Sequence, residues 1–226
     1  MTDLGGKTVL VTGATGGLGS RLARGLADAG ARVVVSARDE GRLTDLGIDG
    51  AVVLAADLTV PGAPEDLVAR TVEATGGLDA VVHAAGVVAF GPASEVDDDV
   101  VDELLLLNYL APLRLVRAAS PHLSEGGFVA AISAVVAERP MPQMAAYSAS
   151  KAALSAYLTS IRTELRRRKV RVLDVRPPHT ETGLATRPVA GEAPRMSQGL
   201  AADDVAARIL AAITGDETDV ASDAFS

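Results

Sequence analysis

Lys7-Thr8-Val9-Leu10-Val11-Thr12-Gly13-Ala14-Thr15-Gly16-Gly17-Leu18-Gly19 is the stretch on which the fold turns. Its first half, Lys7 to Thr12, is a short apolar, β-branched run of the kind that forms a buried strand. The glycines follow at once, and Arg21 to Ala29 then reads as an amphipathic helix closed by Gly30. A strand, a glycine-rich turn and a helix in this order open a βαβ unit. Glycines at 13, 17 and 19 let the backbone turn tightly and approach a pyrophosphate. That anion would sit on the free N–H groups and the positive dipole end of the following helix. The spacing is Gly-x-x-x-Gly-x-Gly rather than the common Gly-x-Gly-x-x-Gly.

Outward from this stretch the pattern alternates. Arg32 to Ser36 predicts a second strand and Ala51 to Ala55 a third, with a weak helical turn between them. Pro64 to Thr75 reads as a helix, Leu78 to His83 as strand four, Asp97 to Ala119 as a long helix and Phe128 to Ser133 as strand five. Tyr147 to Arg168 is the next helix, Val170 to Arg176 strand six, Asp203 to Ile213 a helix and Asp219 to Ala221 a last short strand. Strands and helices at this interval imply right-handed crossovers, hence an α/β fold: a single-domain, Rossmann-type, doubly wound parallel sheet of about seven strands with helices on both faces. No repeat or linker divides residues 1–226. The least regular segment, 183–200, carries Pro188, Pro194 and three glycines and is the expected short substrate lid.

Composition narrows the chemistry. The 226 residues are 48% hydrophobic, enough for a sizeable core, and mean hydropathy is +0.26. No run approaches the ~18 apolar residues of a membrane span, and the N-terminus shows no signal-peptide core, so a cytoplasmic protein is expected. The absence of cysteine excludes disulfides, thiolate metal sites and a cysteine nucleophile, and His83, His122 and His179 have no metal-ligand spacing. A net charge of −8 argues against nucleic acid or anionic membrane as partners. The one basic run, Arg166 to Lys169, ends a helix, where cations suit the dipole.

Within the Tyr147 helix, Tyr147 and Lys151 stand four residues apart and so share a face. A phenol titrates near pH ~10; an ammonium one turn away stabilises the phenolate and brings it toward the working range of an acid or base. Asn108 precedes Pro112 by four residues, and proline has no N–H to give to the carbonyl of Asn108. A carbonyl left free in mid-helix can hold an ordered water.

The glycine turn, the order of elements and the Tyr-x-x-x-Lys pair together resemble the short-chain dehydrogenase/reductase family over nearly the whole chain. The resemblance implies hydride transfer between a nicotinamide and a carbonyl or secondary alcohol. Gly13, Thr15, Gly16, Gly17, Leu18 and Gly19 fall on the family's coenzyme loop, Asp57 with Leu58 on its adenine contact, and Ala84, Ala85 and Gly86 on the end of its Asn-Asn-Ala-Gly motif. Asn108, Ser133, Tyr147 and Lys151 fall on its catalytic tetrad. In that scheme Tyr147 is the acid, Ser133 orients the carbonyl, Lys151 lowers the phenol pKa and grips the ribose, and Asn108 seats a relay water.

The chain also departs from the family pattern. His83 replaces the first Asn of Asn-Asn-Ala-Gly, and Pro177-Pro178-His179-Thr180-Glu181-Thr182 replaces Pro-Gly-x-Val/Ile-x-Thr. Pro177, Thr180 and Thr182 remain the expected nicotinamide contacts. Strand two ends Ser36-Ala37-Arg38 with no acid, so NADP(H) is expected over NAD(H), Arg38 meeting the 2′-phosphate; Asp39 and Glu40 are the competing partners. Phe90, Val135, Val136, Met141, Met144, Leu184 and Met196 are the candidate substrate wall. A small ketone or alcohol and a 3-oxoacyl thioester both remain open as substrates, and a non-catalytic dinucleotide-binding regulator is the rival class. Val100 to Val116 is apolar nearly all round, which predicts a homodimer or homotetramer.

Overall fold

A computed structural model of the chain describes residues 2–225. Every residue of β1 (Thr8–Thr12) is buried. It pairs in parallel with β2 (Arg32–Ser36) on one side and β4 (Leu78–His83) on the other. β3 (Val52–Val53), β5 (Leu123–Ile132), β6 (Arg171–Val175) and β7 (Asp219–Val220) complete one parallel sheet in the order β3-β2-β1-β4-β5-β6-β7. The seven expected strands are therefore present.

Alternation along each strand divides the core. Val9 and Val11 of β1 and Val33 and Val35 of β2 face one side, where α1 (Gly17–Asp28) presents Leu22, Ala23 and Leu26 and α7 (Ala202–Thr214) presents Val205, Ile209 and Ile213. Leu10, Val34 and Val81 face the other side, where α3 (Ala63–Thr75) and α6 (Ala145–Arg166) contribute Leu67, Leu154, Leu158 and Ile161. Helices on both faces bury both faces of the strands, which is why these strands read as continuous apolar runs. The strand order reverses between β1 and β4, and the crevice beyond their carboxyl ends is where such sheets take ligands.

Three elements differ from the sequence expectation. The third strand shrinks to Val52–Val53, half-buried at the sheet edge, although Leu54 N–H and Ala56 N–H still donate to the β2 side through Val35 O and Ala37 O. The fifth strand begins at Leu123, before Gly126 and Gly127, with a register irregularity against β4. The expected single helix from Asp97 to Ala119 is three pieces: α4 (Asp98–Leu105), a π turn (Leu106–Leu110) and α5 (Ala111–Ala119). Pro112 cannot donate to Asn108, and the helix answers by widening, with Ala111 N–H donating to Leu106 O five residues back. A short helix, α2 (Glu40–Thr44), follows β2. Among the described residues no helix is long and apolar enough to cross a membrane.

Candidate active site

A cavity of about 680 Å³ opens over the carboxyl ends of the central strands. Gly13, Thr15, Gly16, Gly17, Leu18, Arg38, Asp57, Leu58, Ala84, Ala85, Gly86, Tyr147, Lys151, Pro177, Thr180 and Thr182 all line it. Gly13 has φ +72°, and a Cβ there would strike the backbone of Ala84 and Ala85, so only glycine lets the two loops meet. Gly19 lies beneath the turn against the Gly13 carbonyl, outside the lining. Gly17 touches Thr182, which brings the loop after β6 onto the glycine turn.

At the other end of the cavity, Tyr147 and Lys151 project from the first turns of α6, 6% and 4% exposed. The Lys151 ammonium donates to the Ile132 carbonyl at 2.9 Å. Burial draws its pKa down to about 8, opposed by the negative charge of Asp174. Burial pushes the Tyr147 phenol up, the reverse of the lowering expected from the sequence, because a dry site disfavours phenolate. The hydroxyl thus stays protonated through neutral pH. His83, fully buried, is held neutral: burial first, and then the charge of Lys151, draw its pKa to about 3. Its Nδ1 is 2.9 Å from Thr12 Oγ1.

Asn108 stands one layer behind the cavity. Its Oδ1 accepts from Val87 N–H at 3.0 Å, while its Nδ2 donates to Val87 O at 2.9 Å and Ser150 Oγ at 3.0 Å. Ser150 Oγ in turn donates to Tyr147 O at 2.8 Å. The π turn thereby ties the loop after β4 to the start of α6.

Ser133 requires a correction. Its hydroxyl, expected to meet a substrate carbonyl, instead donates to Asp174 Oδ1 at 2.5 Å and contacts Val175 O at 3.1 Å. Its side chain points back between β5 and β6. Ser133 still borders the cavity, but the next residue, Ala134, joins Tyr147, Phe90, Val136 and Met144 in an apolar cluster, so the side chain packed with Tyr147 at this place ends in a methyl group.

At the adenosine end, Asp39 does not serve as the expected partner of Arg38. Its Oδ1 caps α2, accepting from Arg42 N–H at 3.0 Å. Arg38 instead contributes to holding the Asp57 carboxyl below its usual range, after the larger effect of the Thr59 hydroxyl. Sequence reasoning missed Arg42, whose Nη2 donates to Thr15 O at 3.2 Å and which lines the cavity beside Arg38. The signal was its position four residues after Arg38, through a turn capped by Asp39.

Residues 7–192 match the family model for short chain dehydrogenases. An uncharacterized oxidoreductase of Methylorubrum extorquens is 36% identical over 210 residues, 89% of this chain and 84% of its own length. A short chain dehydrogenase of Burkholderia cenocepacia, solved in complex with NADP, superposes with a TM-score of 0.87 at 31% identity, covering 97% of each chain. One from Burkholderia phymatum in complex with NAD gives a TM-score of 0.89 at 24% identity over 98% of this chain and 90% of its own, a likeness of fold.

Proposed function

The chain belongs to the short-chain dehydrogenase/reductase family of oxidoreductases, and from that premise we propose that it is an NADP(H)-dependent reductase of an apolar carbonyl compound. The observation that carries this reading is a buried Tyr147 in the same cavity as a glycine cradle that no side chain fills. The residues fit a dinucleotide. The Gly13 to Gly19 turn and the start of α1 would take the pyrophosphate, Arg38 and Arg42 a 2′-phosphate, Asp57 and Leu58 the adenine, and Lys151, Thr180 and Thr182 the nicotinamide end. When bound, nicotinamide supplies the hydride that a carbonyl needs, or accepts the one that an alcohol gives up.

The protein's own part is proton transfer and exclusion of water. Tyr147 Oη gives its proton to the substrate oxygen as negative charge develops there. Burial raises its pKa, so the acid form is the one present at neutral pH. Lys151, charged below about pH 8, offsets the phenolate that remains. Asn108 fixes the start of α6, and with it the aim of Tyr147. The surrounding wall of Phe90, Ala134, Val136, Met144, Leu184 and Val189 is apolar, which suits an uncharged substrate body.

The test is a panel of ketones, aldehydes and acyl thioesters assayed by nicotinamide absorbance with both coenzymes. Tyr147→Phe should lower kcat by ~10²–10⁴-fold, the usual share of general acid catalysis, and leave coenzyme affinity nearly unchanged. A Phe variant keeping more than about a tenth of the wild-type kcat removes Tyr147 from this role.

A further inference from the structure

Behind Tyr147 and Lys151 lies a charged cluster, buried at Asp174 and half-exposed at Asp219, that the proposed chemistry does not use. Asp174, the fourth of the five residues of β6, is fully buried. Its Oδ1 accepts from Ser133 and its Oδ2 from both Ser155 and Arg176, each at 2.5 Å. Arg176 also donates to Glu138 Oε1 at 2.5 Å and to Asp219 at 3.0 and 2.6 Å. Glu138 accepts from the Ser222 hydroxyl at 2.7 Å, and Arg162 stands 3.6 Å from Asp219. Asp174 is the one fully buried carboxylate of the three, and it shares the Arg176 guanidinium with the partly exposed Glu138 and Asp219. A buried carboxylate whose one guanidinium is shared with two others is favoured by a second cation nearby.

Lys151 is the buried cation at hand. Its own hydrogen bond goes to a neutral carbonyl, that of Ile132. Asp174 grips both supports of that bond. Ser133 is the residue after Ile132, and Ser155 lies one turn beyond Lys151 on the same face of α6. The other groups facing Lys151 bring no countercharge: His83 on β4 is neutral, Tyr147 on α6 is a protonated phenol, and Asn108 from the π turn is an amide.

We propose that Asp174 is a positioning residue for the Tyr147–Lys151 pair: through Ser133 and Ser155 it fixes the two segments that hold the ammonium, and its charge keeps that ammonium protonated at neutral pH. The opposing effects of burial and of Asp174 on Lys151 agree with this arrangement. The catalytic half of the proposal rests on the role given to Lys151 above; the electrostatic half does not.

The chain has only three lysines, Lys7, Lys151 and Lys169, so protein labelled with ¹³C at lysine Cε gives three signals, and Lys151→Arg identifies the one of interest. In Asp174→Asn the Lys151 midpoint should fall by at least one pH unit, a tenfold change in proton affinity, while Lys7 and Lys169 stay where they are. The high-pH edge of kcat should move down with it, and activity near pH 6 should be largely kept. An unmoved Lys151 midpoint overturns the proposal. A moved midpoint with an unmoved kcat profile upholds the charge pair and instead refutes the catalytic role of Lys151. Should Asp174→Asn not fold, the double variant Asp174→Asn/Lys151→Met should, because the buried cation leaves with its counter-charge; a double variant no more stable than Asp174→Asn overturns the pairing.

Discussion

At the scale of the residue, the site is decided by which way single side chains point. Tyr147 and Lys151 were legible because helical spacing fixes their shared face whatever the rest of the chain does. Ser133 was not, because at a strand end successive side chains face opposite ways and a shift of one position exchanges them. Ser133 bonds Asp174, and Ala134 faces the cavity. Losing a hydrogen-bond donor to a developing oxyanion costs ~10²–10³-fold in kcat. Ser133→Ala should cost less than about tenfold, together with ~1–3 kcal/mol of stability from the donor that Asp174 loses. Ala134→Ser, which places a hydroxyl beside Tyr147, should raise kcat instead. Steady-state assays and thermal melts of both variants check this.

Lys151 is held at a cost to the fold. Its pKa falls from 10.5 to about 8, a difference equivalent to about 3 kcal/mol. The unfolded chain binds this proton more tightly than the folded one, so stability is reduced below about pH 8 and recovers as pH rises toward 10.5. Lys151→Met alone also leaves Asp174 without its counter-charge, so the relief should show in Asp174→Asn/Lys151→Met, which should melt at higher temperature than Asp174→Asn near pH 7, by an advantage that fades toward pH 10, while losing turnover. A double variant no more stable than Asp174→Asn at pH 7 contradicts the assigned burial cost.

At the scale of the element, turns carry the recognition. The glycine turn could be read from sequence because its neighbours, an apolar strand and an amphipathic helix, leave one way to connect them. The π turn could not be read in full: Pro112 marks a missing donor, but whether a helix kinks or widens depends on what it packs against. Here Asn108, within the π turn, is held by Val87 and Ser150. The junction of β2 and α2 bears on coenzyme choice. Asp39 is committed to capping α2, and Arg38 and Arg42 stand as two cations at the cavity rim beside it. A hydrogen bond to a charged group is worth ~1.5–3 kcal/mol, so NADP(H) should be preferred over NAD(H) by roughly 10- to 200-fold in kcat/KM. Arg42→Ala should weaken NADP(H) about tenfold and leave NAD(H) unchanged. Arg38→Ala with Ala37→Asp should reverse the preference by adding repulsion. Equal turnover of both coenzymes by the wild-type protein would remove both arginines from the role.

At the scale of the whole molecule, the sheet accounts for most apolar residues but not for those on the outer side of α4, the π turn and α5. The strands are covered by helices on both faces; that packing takes up Leu107, Leu115 and Val116, and the apolar cluster beside the cavity takes up Leu104. Leu105, Leu106, Leu110 and Leu113 remain partly exposed. Tyr109 extends this face toward α6, its ring meeting Tyr157 edge to face at 6.5 Å. A helix needs only an apolar stripe to cover one side of a sheet, so a second apolar side calls for a second surface. The same patch on another copy is the simplest complement, since a two-fold axis lets one surface serve both partners. A stable interface of this kind buries about 800 Å² per partner, within reach of α4, α5 and α6 together. The protein should therefore be a dimer or tetramer by light scattering at micromolar concentration. Leu106→Lys with Leu110→Lys should give folded monomers, because a lysine pair at the centre of an apolar contact cannot be desolvated cheaply. Wild-type protein that is monomeric under these conditions would leave the apolar face without a partner of its own kind and end this reading.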